Sequence, residues 1–151
     1  MSYLRHLRFQ TTSKGILNIK LCVLDCDGII FDSNRLKTQA YADTLSDLGY
    51  DEKQVAQFVQ LHLQDVSVSR FVKFTQFFAT ILKEPDAESK TEAALKGYSE
   101  NCIKLYAQLE PEASALSFVN KSPTSPERTY VISGGAQTEL NEVFQHHNIL
   151  D

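Results

Sequence analysis

The chain has 151 residues, 42% of them apolar, six glycines, four prolines and a formal net charge of −4. That is the size of one ordinary domain, or of a small core carrying an insertion, with enough apolar residues for a packed interior. The acidic balance argues against nucleic acid as a partner, no apolar run reaches the roughly 18–20 residues of a membrane span, and the start, MSYLRHLRFQTTSK, lacks the apolar stretch of a secretory signal; the expected compartment is the cytoplasm.

Residues 1–14 read as a tail. Ile16–Asp25, ILNIKLCVLD, reads as a strand whose Leu21–Leu24 segment is apolar on both faces, as in a covered parallel sheet. Two aspartates one residue apart, Asp25 and Asp27, follow at its carboxyl end, and Gly28 permits a sharp turn there. In extended backbone residues i and i+2 point to the same side, so the two carboxylates are expected to converge while Cys26 points away. At 4 Å and an effective dielectric of about 20, two such charges repel by roughly 4 kcal/mol. A shared proton or a divalent cation would offset that, and hard oxygen ligands favour Mg²⁺. An ordinary turn rich in Asp is the bland alternative.

Helical periods take over after Asn34. Arg35 to about Leu48 makes one helix, stopped by Gly49; Asp51 can cap the next, with Val55, Phe58, Val59 and His62 at three- and four-residue spacing. Phe71, Phe74, Phe78 and Leu82 form one stripe of a strongly amphipathic segment, with Phe77 and Ile81 beside it, and helix–helix core is the expected use. Pro85 breaks the run. A long helix follows with Ala94, Leu95, Tyr98, Cys102, Leu105 and Leu109 inward.

Beyond Glu110 come a short helix opening at Pro111, the loop SPTSPE, a β-branched strand RTYVIS, and the turn GGAQ leading into a last helix. Strands separated by helices predict a parallel sheet with crossover connections. Ser133 ends the second strand, and the backbone N–H groups after it lie at a turn and helix start, where an anion would find donors. Paired carboxylates beside hydroxyl and amide donors describe a site for phosphoryl transfer. Cys22, Cys26 and Cys102 are odd in number and lack metal spacing, which fits small buried side chains in a reducing compartment. His6, His62, His146 and His147 also lack metal spacing and are expected at the surface or in packing.

VLDCDGIIFDS resembles the first motif, Asp-x-Asp-Gly, of the haloacid-dehalogenase-like (HAD) phosphohydrolase superfamily, and VISGG resembles its second motif. The helices between them are similar to the cap that many members insert there, and FDSNRLKTQAY resembles the cap entry of phosphoglycolate-phosphatase-like members. The resemblance implies an α/β fold: a Rossmann-like parallel-sheet core, incomplete here, formed by residues 15–33 and 110–151, with an inserted α-helical cap over residues 34–109. It also implies a phosphatase of a small phosphorylated metabolite. Asp25 would be the nucleophile and a Mg²⁺ ligand. Asp27 would be the acid and base, its main-chain carbonyl touching the metal. Ser133 and the Gly134 amide would hold the phosphoryl group, with Gly28 beside them. Dehalogenase and phosphonatase branches resemble this motif but lack the second Asp.

Arg35, Lys37, Arg70 and Lys73 of the cap could meet a substrate anion, Arg70 and Lys73 foremost, although for each a solvated surface cation is the simpler expectation. The family's later Lys and acidic motifs have no counterpart: 18 residues follow Ser133, none of them Lys or Arg. The expectation is therefore a truncated form with impaired activity and an exposed apolar strand edge at Ile19–Leu24. A sugar-phosphate mutase of the same superfamily and a non-catalytic binding remnant are the alternatives.

Overall fold

The computed structural model describes residues 20–121 and 128–149. The tail, the start of the expected first strand at Ile16–Ile19, the loop Ser122–Glu127 and Asp151 lie outside the described residues. Strands β1 (Cys22–Asp25) and β2 (Thr129–Ile132) pair in parallel, with Cys22 opposite Thr129 and Asp25 opposite Ile132. The Cys26 N–H extends the ladder by donating to the Ile132 carbonyl at 3.1 Å. The two strands thus end side by side, and Asp27 and Ser133 follow within two residues of those ends.

Strand alternation divides the sheet. Cys22 and Cys26 turn into the core, whereas Leu21 and Val23 are exposed, as is Ile132 at 63%. Opposed residues of a parallel pair share a face, so Val23, Asp25 and Ile132 lie together on the open side.

Six helices complete the described chain: α1 (Asn34–Asp47), α2 (Glu52–Gln64), α3 (Arg70–Thr75, continued by a π-helix over Gln76–Ile81), α4 (Ala87–Tyr106), α5 (Ala113–Asn120) and α6 (Gln137–His146). Helix α1 packs on α2 and α4, and α4 also carries α3 and α6. Gly49 ends the first of them with φ +85°, a backbone state that a β-carbon disfavours. Asp51 opens α2 through a reciprocal pair: its carboxylate accepts from the Gln54 N–H at 2.8 Å, and the Gln54 side-chain oxygen accepts from the Asp51 N–H at 3.1 Å.

The aromatic stripe is corrected at one end. Phe74, Phe77 and Phe78 are fully buried, but Phe71 is 57% exposed. Phe74, Phe77 and Phe78 stand at i, i+3 and i+4, the spacing of one helical face, and all three turn inward, the last two from the π-helical turn after Thr75. They join Tyr41, Phe58 and Tyr98 in an aromatic core, with ring centroids 4.9 Å apart for Phe58–Phe74 and 4.2 Å for Tyr41–Tyr98.

Candidate active site

The segment after β1 folds back sharply. Ile30 and Phe31 N–H groups both donate to the Cys26 carbonyl, and Gly28, at φ +80°, donates its N–H to the Phe31 carbonyl at 2.7 Å. Gly28 therefore shapes the turn and has its amide committed within it, which corrects the expectation that it helps hold a phosphate. The same turn separates the two aspartates. Extended geometry stops at Asp25, whose side chain stays on the open sheet face. Asp27 lies in the turn and reaches inward.

Four donors converge on the Asp27 carboxylate. Oδ1 accepts from the Ser33 hydroxyl at 2.6 Å and from the Tyr106 hydroxyl, while Oδ2 accepts from Lys37 Nζ at 2.5 Å and from the Ser133 hydroxyl at 3.2 Å. The donors come from the α1 N-terminus, α1 itself, the end of α4 and the turn after β2, so one carboxylate ties four parts of the chain together. Burial alone would raise the Asp27 pKa, but the bonds from Lys37, Ser33 and Tyr106 outweigh it and hold the group below the usual carboxylate value. Tyr106 shifts the other way, first through burial and then because its proton is held by Asp27, and it stays a phenol. Ser33 occupies the N-cap position of α1 with helical backbone and makes no side-chain cap bond; its hydroxyl donates to Asp27. The Gly135 N–H donates to the Ser133 oxygen at 3.0 Å and fixes the rotamer of that hydroxyl.

Beside this cluster lies a cavity of about 250 Å³ between the helical insert and the sheet end, reached by Ser133, Gly134, Lys37, Tyr106, His62 and Arg70 among others. Asp27 touches it only through its donors, and Asp25 does not line it. Lys37 was expected in solvent and is half-buried on Asp27. Arg70 was a foremost candidate for a substrate contact, with a solvated surface cation the simpler expectation. It instead donates from Nη1 to Glu139 Oε1 at 2.7 Å and to the Ser99 hydroxyl at 3.3 Å, with its guanidinium over the Tyr98 ring. Burial would lower its pKa, but Glu139 reverses that and raises it.

Lys73 is corrected more strongly. It is 2% exposed, does not line the cavity, and donates from Nζ to His62 Nδ1 at 2.9 Å. An ammonium has no lone pair to accept with, so His62 Nδ1 is the acceptor and its proton sits on Nε2. Burial first, then the Lys73 charge, lowers the His62 pKa to about 4, so His62 is neutral near pH 7. Ser33, Tyr106, Ser99 and Glu139 escaped the sequence reading, since the last three stand in no motif and at no telling spacing. The only signal was a hydroxyl at the mouth of the first motif, Ser33.

Among the described residues no group of three or more His, Cys, Asp or Glu side chains is arranged to hold a metal ion. The three cysteines are free and buried, and no described helix is long and apolar enough to cross a membrane.

Neither a protein-family model nor a curated protein matches the sequence. Solved structures do match. The Bacillus subtilis protein YfnB, described as a HAD-hydrolase and bound to magnesium, superposes with a TM-score of 0.55 at 12% identity, over 87% of this chain and 60% of its own. A Lactobacillus plantarum protein described as a phosphoglycolate phosphatase does so with a TM-score of 0.54 at 15% identity, over 83% of this chain and 55% of its own. L-2-haloacid dehalogenase from Xanthobacter autotrophicus aligns at a TM-score of 0.41, too weak a likeness to bear on chemistry. The chain has the HAD-like fold, a Rossmann-type parallel sheet with a helical cap, and spans 55–60% of the length of the first two structures.

Proposed function

We propose that this chain carries the site of a Mg²⁺-dependent HAD-type phosphatase acting on a small phosphate monoester through an aspartyl-phosphate. The observation that carries the reading is the 3.2 Å bond from the Ser133 hydroxyl to Asp27. It joins the ends of two parallel strands, the place where open α/β sheets take ligands, and it sets a hydroxyl donor beside a carboxylate at a cavity.

In this reading the Asp25 side chain turns from the open sheet face to the strand ends, where its carboxylate oxygen attacks phosphorus, and the alcohol oxygen leaves with a proton from Asp27. Asp27 then takes a proton from water as that water attacks the acyl phosphate, which releases inorganic phosphate and restores Asp25. Asp27 as described is a carboxylate with four donors, a poor acid. A phosphoryl group entering beside Ser133 and Lys37 offers both donors a second anion. Losing them lets the Asp27 pKa rise, so arrival of substrate itself prepares the acid. The donor set also suits Mg²⁺ in type: this ion keeps several waters and takes one or two carboxylates together with substrate phosphate, and the exposed Asp25 carboxylate with the Asp27 main-chain carbonyl would hold it. Such an ion supplies charge neutralisation at the phosphoryl oxygens.

Beryllium trifluoride, a mimic of an acyl phosphate, tests the site by ¹⁹F NMR. A Mg²⁺-dependent bound signal is expected, absent in Asp25→Asn and weakened about tenfold, about 1.4 kcal/mol, in Ser133→Ala. A wild-type chain that gives no such signal contradicts the reading, and a non-catalytic binding module then becomes the better account.

A further inference from the structure

Of the described residues that line the cavity, two carry a fixed positive charge, Lys37 and Arg70, and the chain itself already supplies an anion to each. We propose that Glu139 masks Arg70, so that the leaving group accepted here is an uncharged, hydroxyl-bearing alcohol and not one with a second anionic group. The inference rests on the phosphatase reading above and names the substrate class for that site.

Lys37 stands with Ser133 on Asp27, at the end where a phosphoryl group would bind. Arg70 is paired, its charge met by Glu139. Its Nη1 is shared between Glu139 and Ser99, Tyr98 lies under its guanidinium, and Ser99 donates a second short bond to the same Glu139 oxygen. Glu139 is 8% exposed. A ligand carboxylate or second phosphate reaching Arg70 would meet a charge already neutralised by Glu139, and displacing Glu139 would strand a buried carboxylate against another anion, the costly way to break such a pair. The third basic group near the cavity is no substitute: Lys73 lies behind His62, and His62 offers a neutral Nε2–H. The rest of the polar lining carries no charge: a neutral imidazole at His62, Ser67 and Ser69, whose side chains bond Asp65 and the Val72 N–H, and Tyr41 and Tyr98, a lining that offers a second anion no cation. The 250 Å³ of space equals about eight waters at about 30 Å³ each, enough for a phosphoryl group and a chain of a few carbons.

Glycerol 3-phosphate and 3-phosphoglycerate differ in carrying a hydroxymethyl or a carboxylate at the far end, and so isolate the question. Calorimetric titration of the full chain with each, and with inorganic phosphate, in the presence of Mg²⁺, is expected to show glycerol 3-phosphate binding about tenfold tighter than 3-phosphoglycerate. Glu139→Ala exposes Arg70 and should invert that ratio; Glu139→Ala combined with Arg70→Ala should abolish the inversion. Glu139→Gln keeps the packing, removes the charge, and should at least equalise the two ligands. Tighter binding of 3-phosphoglycerate by the wild-type chain, or a ratio unmoved in both Glu139 variants, overturns the inference while leaving the phosphatase reading intact. Failure of all three ligands, inorganic phosphate included, overturns both.

Discussion

Asp27 shows how much one side chain can organise when several donors find it. Removing its carboxylate leaves Ser33, Lys37, Tyr106 and Ser133 without their shared acceptor. Asp27→Ala is accordingly expected to cost about 1–3 kcal/mol at pH 7 in urea denaturation. The pH dependence has a definite sign. The native pKa is depressed, so the stabilisation is complete above the unfolded carboxylate value of 3.8 and is lost as pH falls through the lower native value. The stability gap between wild type and Asp27→Ala should therefore close in that acid range. His62 gives a second window. Its pKa falls from 6.5 to about 4, so the unfolded chain takes up a proton first and stability declines as pH drops from about 6.5 to about 4, by about 1–2 kcal/mol once solvent screening is allowed for. His62→Phe should flatten that part of the curve, read from urea midpoints at pH 7 and pH 4.5.

The helix carrying Arg70 and Phe78 shows what an element adds to its residues. Phe74 and Phe77 are each fully buried, and truncation of either to Ala should cost about 3–5 kcal/mol. Phe71→Ala, exposed three residues before Phe74, should stay within about 0.5 kcal/mol. Equal losses at Phe71 and Phe74 would mean that Phe71 faces the core as the rest of the stripe does. At the junction with the π-helix the Thr75 hydroxyl is buried with no hydrogen-bond partner among the described residues. Thr75→Val removes an unsatisfied group at constant shape and is expected to be neutral or stabilising by up to about 1 kcal/mol.

At the scale of the whole molecule, two ion pairs among the described residues join the helical insert to the sheet end and the last helix, Lys37 with Asp27 and Arg70 with Glu139. They bring four charges to the seam around the cavity and so relate the position of the helices to the occupancy of the site. The opposite side of the sheet presents Leu21, Val23 and Ile132 to solvent, an apolar surface on a short sheet of the kind that drives association. Sedimentation of this chain should reveal self-association that rises with concentration, and Val23→Lys with Ile132→Lys should suppress it without lowering the unfolding midpoint. Monomeric behaviour at all concentrations would remove that expectation.

Local chemistry was legible in the chain wherever it acts over a few residues. Gly49, the Asp51 cap, the break at Pro85, the apolar strands ending at Asp25 and Ile132, and the turn glycines are set by backbone freedom and by the period of burial, and both are written into adjacent residues. Asp25 and Asp27 were both expected to meet Ser133, because a parallel strand pair leaves its carboxyl ends together; Asp27 does so, and Asp25 stays on the open sheet face. Partners chosen across long separations were not legible. Tyr106 reaching Asp27 over 79 positions, Arg70 reaching Glu139 over 69, and Lys73 turning from solvent to His62 each depend on how helices dock. A charge flanked by ordinary helical neighbours carries no mark of the oxygen that will meet it. The sequence by itself determined where strands end and helices stop; tertiary packing decided which carboxylate faces the cavity and which cations it leaves for a ligand, since burial and pairing are properties of the assembled interior.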